Sequence, residues 1–165
     1  MADISHTYYQ SPLGLLKICG TDTYISEVSF YDASEKHEHR KKTLPPLLIT
    51  CIEQLIQYFN GERRVFDLPL NQEGTAFQQS VWSELVQIPF GKTISYLDLA
   101  RRTGDSKATR AVANANGKNI IAIIVPCHRV IGSKGDLVGY AGGMRRKKWL
   151  LEHEARICYG VQTLF

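Results

Sequence analysis

The sequence predicts an α/β N-terminal domain, a small antiparallel sheet plus a helix, followed by a mainly α C-terminal domain. Three observations predict it. Two short apolar runs near the N-terminus are joined by a tight polar turn. One stripe of apolar residues recurs at helical spacing around position 50, and Ser, Thr and Gly divide the second half into short helical stretches. The division falls in the polar stretch 71–74, separating residues 1–73 from 74–165.

LGLLKICG, the turn TDT and YISEVSFY read as two strands of an antiparallel sheet. The polar segment ASEKHEHRKKTLPP reads as an exposed loop, with His37 and His39 facing water. Leu48, Cys51, Ile52, Leu55, Ile56 and Phe59 then repeat at helical spacing, and Asn60-Gly61 ends that helix. VFDLPLN reads as one more strand. In the second half, Thr75 and Gln78 form a capping box ahead of the apolar stripe Phe77, Val81, Trp82 and Leu85. Ser95 and Asp98 form another, opening the helix YLDLARR that Gly104 ends. Asp105 or Ser106 caps a third helix, KATRAVANAN, ended by Gly117. Two short helices around a glycine turn make a helix-turn-helix pattern, which is either a nucleic-acid motif or a chance pairing in a helical domain.

The composition, 44% hydrophobic and 22% charged over 165 residues, is that of a folded protein with a core, not a disordered tail. No run approaches the roughly 20 apolar residues of a membrane span, and MADISHTYYQ lacks the layout of a signal peptide, so the cytosol is the expected location. The cysteines at 19, 51, 127 and 158 form no CxxC pair and no zinc-like cluster, which predicts reduced thiols and no metal. Charge is unevenly distributed: residues 1–70 hold 7 Lys/Arg against 9 Asp/Glu, residues 71–165 hold 13 against 7. A basic second half fits either solvated surface or a polyanionic partner such as DNA. The third helix is rich in alanine, with Arg110 near its start; a shallow Ala face suits close approach to a groove or tight packing on neighbouring helices.

IIAIIVPCHRV carries the chemistry. It reads as a buried strand surfacing at a thiol, an imidazole and a guanidinium. A cysteine attacks only as thiolate, with an ordinary pKa of about 8.5, so a neighbouring base or cation must assist it. From that dipeptide alone, Cys127 is either a small core residue or an activated nucleophile.

The longer pattern IPFGKTISYLDLA, RAV, Asn119, VPCHRVIGSKGDLVGYAGG and KKWLLEHE resembles the O6-alkylguanine-DNA alkyltransferases in order and spacing, over about residues 75–154. QYFNGERRVFDLPL and SPLGLLKI resemble that family's N-terminal domain. The resemblance implies a ribonuclease H-like first domain and a winged helix-turn-helix second domain. It also implies stoichiometric transfer of an alkyl group from O6-methylguanine, with O4-methylthymine as a further candidate, to the protein's own cysteine. No cofactor is implied, and the partner is double-stranded DNA bound by a monomer.

By the same resemblance Cys127 is the nucleophile, His128 the base acting through a water, Glu154 its orienter, and Asn119 the brace of the turn before Cys127. Tyr96 rotates the phosphate and protonates N3 of the leaving guanine. Val130, Tyr140, Ala141 and Gly142 wall the base pocket. Arg110 fills the gap left by the flipped nucleotide, and Ala111, Ala113, Asn114, Tyr96 and Arg129 meet DNA. The chain departs from the family in having Ile120 where Asn-Pro is common, which removes the fixed φ of a proline. The first-domain Cys and His residues do not match the zinc ligands of some relatives. MRRKK reads as either phosphate contact or the solvated first turn of the last helix. Two other functions fit the fold: a protein that binds alkylguanine lesions without repairing them, and a winged helix regulator with a sensing thiol. A donor-dependent methyltransferase is disfavoured because no glycine-rich strand-to-helix cofactor turn is present.

Overall fold

A computed structural model describes residues 3–32 and 43–160. The expected loop with His37 and His39 lies outside them. The chain divides into two compact units, Met1–Gln72 and Glu73–Phe165.

The first unit holds a three-stranded antiparallel sheet in the order β1 (Ser5–Ser11), β2 (Gly14–Gly20), β3 (Ile25–Phe30), together with helix α1 (Pro46–Phe59). The TDT turn works as its composition suggests, because the Thr21 hydroxyl accepts hydrogen bonds from the backbone of Thr23 and Tyr24. β1 adds a strand to the two expected. It turns into β2 through Ser11, whose hydroxyl accepts from Leu13 N and donates to Gly14 O. Leu16, Ile18, Ile25 and Val28 from the sheet and Leu48, Cys51 and Leu55 from α1 are fully buried, each large aliphatic side chain contributing about 1.5–3 kcal/mol. Ile56, expected in the same stripe, is 39% exposed.

VFDLPLN is not a strand. It touches the sheet through the single bridge Ile25–Leu70, with Ile25 N donating to Pro69 O. The side chain of Gln54 takes the place a neighbouring strand would occupy: it donates to Asp67 O at 3.1 Å and accepts from Asp67 N at 2.9 Å. Pro69 has no N–H with which to extend the ladder.

The second unit holds helices α2 (Ala76–Leu85), α3 (Tyr96–Arg102), α4 (Thr109–Gly117) and α5 (Met144–Tyr159) and a short parallel pair, β4 (Ile94–Ser95) and β5 (Val130–Ile131), against which α3 packs. The Thr75–Gln78 capping box forms with both of its hydrogen bonds. Ser95 accepts from Asp98 N at the start of α3. Phe77 is 39% exposed instead of joining the core stripe, whereas Trp82 is buried and donates from its indole to Ala115 O at 2.8 Å, locking α2 to α4. Helix α4 starts at Thr109, later than expected. Asp105 uses its carboxylate to accept from Lys107 N, a local turn that competes with helix and delays its onset.

The segment 120–126 is not a strand either. Ile121, Ile123, Ile124 and Val125 are buried, but the segment runs as successive turns, Val125 N donating to Ile121 O and Cys127 N to Val125 O. Ile123 has φ +71, a left-handed conformation that a β-branched residue adopts only under constraint, at a cost of about 1–3 kcal/mol. A run apolar on every side marks burial all round. It does not distinguish a strand from a coiled segment.

Candidate active site

Cys127 opens a single turn of 3-10 helix, Cys127–Arg129, at the end of this strained segment. Asn119 holds the approach: its amide donates to Val125 O at 3.0 Å and Ile121 O at 3.3 Å and accepts from Ile121 N at 3.1 Å. A side chain thus supplies the rigidity that a proline at position 120 would have given through φ. Cys127 is 5% exposed. Burial pushes its thiol up from the ordinary cysteine value, while a hydrogen bond from Asn119 and the positive charge of Lys147 pull it down. It is protonated at rest.

His128 and Glu154 are both buried, with Nε2 and Oε2 2.6 Å apart. Burial alone would raise the Glu154 carboxyl. His128 and Arg129 outweigh that and hold it well below the usual carboxylate range. Burial lowers the His128 imidazole against the pull of Glu154, so the ring is neutral near pH 7. An ionised carboxylate can only accept, so the imidazole proton sits on Nε2. Nδ1 is left with a free lone pair, buried and without a partner among the described residues. It is a base with nothing yet to accept.

Glu154 is fixed from three further directions. Arg129 donates from Nε to Oε1 at 2.8 Å and from Nη2 to Oε2 at 3.1 Å, and Gly91 N donates to Oε1 at 3.1 Å. Gly91 has φ +80, and a Cβ there would lie 2.5 Å from Cys158 Sγ, so the position admits glycine alone without movement. A cavity of about 110 Å³ opens beside the thiol, lined by Tyr96, Ala113, Asn116, Cys127, Tyr140 and Ala141 together with Gly117 and Gly139. Its volume is small for a ligand cleft, whose usual range starts at roughly 300 Å³, and suits a narrow slot.

Two family models match, in order along the chain: "6-O-methylguanine DNA methyltransferase, ribonuclease-like domain" over residues 4–72 and "6-O-methylguanine DNA methyltransferase, DNA binding domain" over 76–156. The chain belongs to the 6-O-methylguanine DNA methyltransferase family. It is 42% identical over 163 residues to the methylated-DNA--protein-cysteine methyltransferase of Mycolicibacterium paratuberculosis, covering 98% of this chain and 99% of the relative. It is also 42% identical to the constitutive enzyme of that name from Bacillus subtilis, covering 93% and 96%. The crystal structure of Mycobacterium tuberculosis OGT in complex with DNA superposes with a TM-score of 0.83 at 42% identity, covering 92% of this chain and 93% of the other.

Among the residues singled out from sequence in this methyltransferase fold, Cys127, Tyr96, Tyr140, Ala141 and Ala113 meet at the cavity. Val130 and Gly142 are not in its lining. Val130 is fully buried in β5, and Gly142 O accepts from Arg146. Tyr96 donates to Val138 O at 2.8 Å, and burial raises its phenol, which therefore keeps its proton. Arg110, Ala111 and Asn114 are exposed along α4, while Ala115 is buried, so the alanines serve packing on one face and exposure on another.

Arg129 corrects an expectation. It is 5% exposed, its guanidinium bound to Glu154 and, at 2.7 Å, to Ile88 O, so in this conformation it is no phosphate ligand. Lys147 corrects another. It is neither solvated nor placed for phosphate: fully buried, its ammonium donates to Val130 O at 2.6 Å, Val138 O at 3.0 Å and Gly139 O at 3.2 Å. Burial pushes its pKa down to about 8, with Cys127 opposing. The spacing of Lys147, Leu150, Leu151 and Glu154 on α5 was the available signal, since one helix face carries all four inward. Asn116, 5% exposed in the cavity wall, also escaped notice.

No helix among the described residues is long and apolar enough to cross a membrane.

Proposed function

We propose that this protein repairs DNA by transferring the alkyl group of O6-methylguanine to Cys127, stoichiometrically and without a cofactor, as a monomer on duplex DNA. The unpartnered Nδ1 of a neutral His128, backed by ionised Glu154 beside a buried thiol, is the observation that carries the reading. The Cys127 proton passes through a water to Nδ1, and the imidazolium that forms is stabilised by Glu154. Sulfur attacks the methyl carbon as the C–O6 bond breaks, and that electron pair leaves on the guanine. Tyr96, still protonated, turns from Val138 O to supply a proton at N3. The products are guanine in DNA and S-methylcysteine, whose sulfur has no proton left to give, so each molecule acts once.

O6 lies in the base stack, beyond reach of a thiol 5% exposed, so the nucleotide must be rotated out at a cost of a few kcal/mol. Arg110 fills the gap, with Ala111, Ala113 and Asn114 along the groove and Tyr140, Ala141 and Gly142 about the base. O4-methylthymine is a second candidate substrate. Residues 1–73 form the supporting domain and 74–165 the DNA-binding and transfer domain. Four free cysteines fit a reducing cytoplasm.

Intact mass and peptide mapping after mixing with an equimolar duplex carrying one O6-methylguanine test this. One methyl group on Cys127, and none in Cys127→Ser, is expected. Tight binding with no mass gain would replace repair with lesion binding.

A further inference from the structure

A carboxylate that stabilises an imidazolium also invites the imidazole to protonate before it is needed, so the charge of Glu154 must be shared with a second cation. Arg129 occupies that place, with all three guanidinium nitrogens engaged. Nε donates to Glu154 Oε1 at 2.8 Å and Nη2 to Oε2 at 3.1 Å, a side-on pair along both carboxylate oxygens. Nη1 donates to Ile88 O at 2.7 Å, and the guanidinium carbon lies 5.7 Å from the centre of the buried Phe90 ring. Gly91 N, in the same turn, donates to Glu154 Oε1. Arg129 thus joins the turn 88–91 to the carboxylate that His128 faces.

The charged and titratable groups about the His128 ring come from several elements. Glu154 and Lys147 stand on α5, and Cys127 and Arg129 flank the ring in its own turn. Tyr140 lies close enough to Cys127 and Glu154 to feel their charge. Helix α2, which packs on the same turn, buries only Val81, Trp82 and Leu85. Burial lowers the imidazole most, Glu154 raises it by charge and by hydrogen bond, and Arg129 and then Lys147 lower it. With Arg129 removed, the buried carboxylate presses its charge on His128, and protonating the ring neutralises the pair. An imidazolium carries N–H on both nitrogens, so Nδ1 could no longer accept the Cys127 proton. A guanidinium suits the task because it stays charged where Lys147, pushed down to about 8, does not. We infer that Arg129 is a positioning residue for the transfer reaction, which holds the Glu154 carboxylate in a two-bond pair against the turn at Ile88 and so leaves the Nδ1 lone pair of His128 free to receive the Cys127 proton.

This inference rests on the transfer reading above, and the experiment separates the two. The protonation of both His128 ring nitrogens is followed against pH by NMR of the nitrogen-15-labelled full-length protein. Single-turnover methyl transfer from an O6-methylguanine duplex is measured over the same range, about pH 6 to pH 9. In the wild type, Nε2 carries the proton at pH 7 and Nδ1 carries none. In Arg129→Met both nitrogens should be protonated at pH 7, the His128 midpoint should move to higher pH, and the acid limb of the transfer profile should move up with it. Raising the pH should then recover rate relative to the wild type. Arg129→Lys keeps the charge and loses the fork, so its midpoint should stay near the wild-type value while the rate falls by one factor at every pH. Should Arg129→Met fail to fold, Arg129→Gln, neutral and still able to donate to Ile88 O, replaces it with the same expectation. A His128 midpoint unmoved in the neutral variant, or a rate loss there that is equal at every pH, would overturn the role of Arg129 and leave transfer intact. No methyl on wild-type Cys127 at any pH would instead overturn the transfer reading, whatever the His128 titration shows.

Discussion

Cys51 in α1 and Cys127 at the cavity are both buried thiols, and only their polar neighbours differ. Around Cys51 burial acts alone and pushes the thiol up to about 12. Around Cys127 burial acts in the same direction, but Asn119 and Lys147 oppose it and the His128–Glu154 pair waits beside it. Burial by itself makes a cysteine inert. A nucleophile needs the same dryness with a base, a positive charge and a hydrogen-bond donor built into it, and that requires residues from several distant elements.

The largest break in that contrast comes at Glu154. Glu154→Gln removes the charge that stabilises the imidazolium, and transfer should slow by at least about 100-fold in single-turnover assays. It also leaves Arg129 buried without its anion, costing roughly 3–5 kcal/mol in denaturant melts. The pH dependence has a definite sign. A carboxyl held below its unfolded value gives stability that is complete above about pH 4.3 and is lost as pH falls toward the folded value, so the wild-type stability curve should drop more steeply below pH 4 than that of the variant.

Lys147→Met sharpens the contrast by removing a charge while keeping most of the volume. The midpoint of Cys127 alkylation by iodoacetamide against pH should rise, with Cys51 remaining unreactive. Between about 8 and the ordinary lysine value of about 10.4, the unfolded wild-type chain binds more protons at this residue than the folded one. Stability therefore rises with pH across that window, and the methionine variant should lose this rise in melts at pH 8 and pH 10. The smallest effect belongs to the control thiol: Cys51→Ala should cost on the order of 1 kcal/mol of stability and leave methyl transfer to Cys127 unchanged by intact mass.

Local signals were legible in the sequence. The Thr75–Gln78 box, the α1 stripe and the TDT turn each depend on residues a few positions apart, and each forms. What was not legible depends on partners far along the chain. Arg129 looks like a surface cation until Glu154 and Ile88 O are placed around it. Lys147 sits in a basic run in which Arg145 and Lys148 are exposed, and only the carbonyls of Val130, Val138 and Gly139 explain its burial. The Asp67 backbone has the composition of a strand yet pairs with one glutamine side chain instead of a neighbouring strand. The Cys127–His128–Glu154 grouping was reachable from the family pattern, whereas the lone pair on Nδ1 follows only from geometry and burial.

The separation of Cys127 and His128 from Glu154 along the chain also sets an order in time. Glu154 follows His128 by 26 residues, and Gly91 and Arg129, which hold it, are both made earlier. At ribosomal rates of about 5–20 residues per second, Cys127 and His128 exist for roughly one to five seconds before the carboxylate that orients them has been added. A nascent chain therefore carries its thiol unarmed. The buried His128–Glu154 pair beside the thiol is complete only when α5 docks, so until then Cys127 is an ordinary cysteine, and its special environment arrives together with the fold around it.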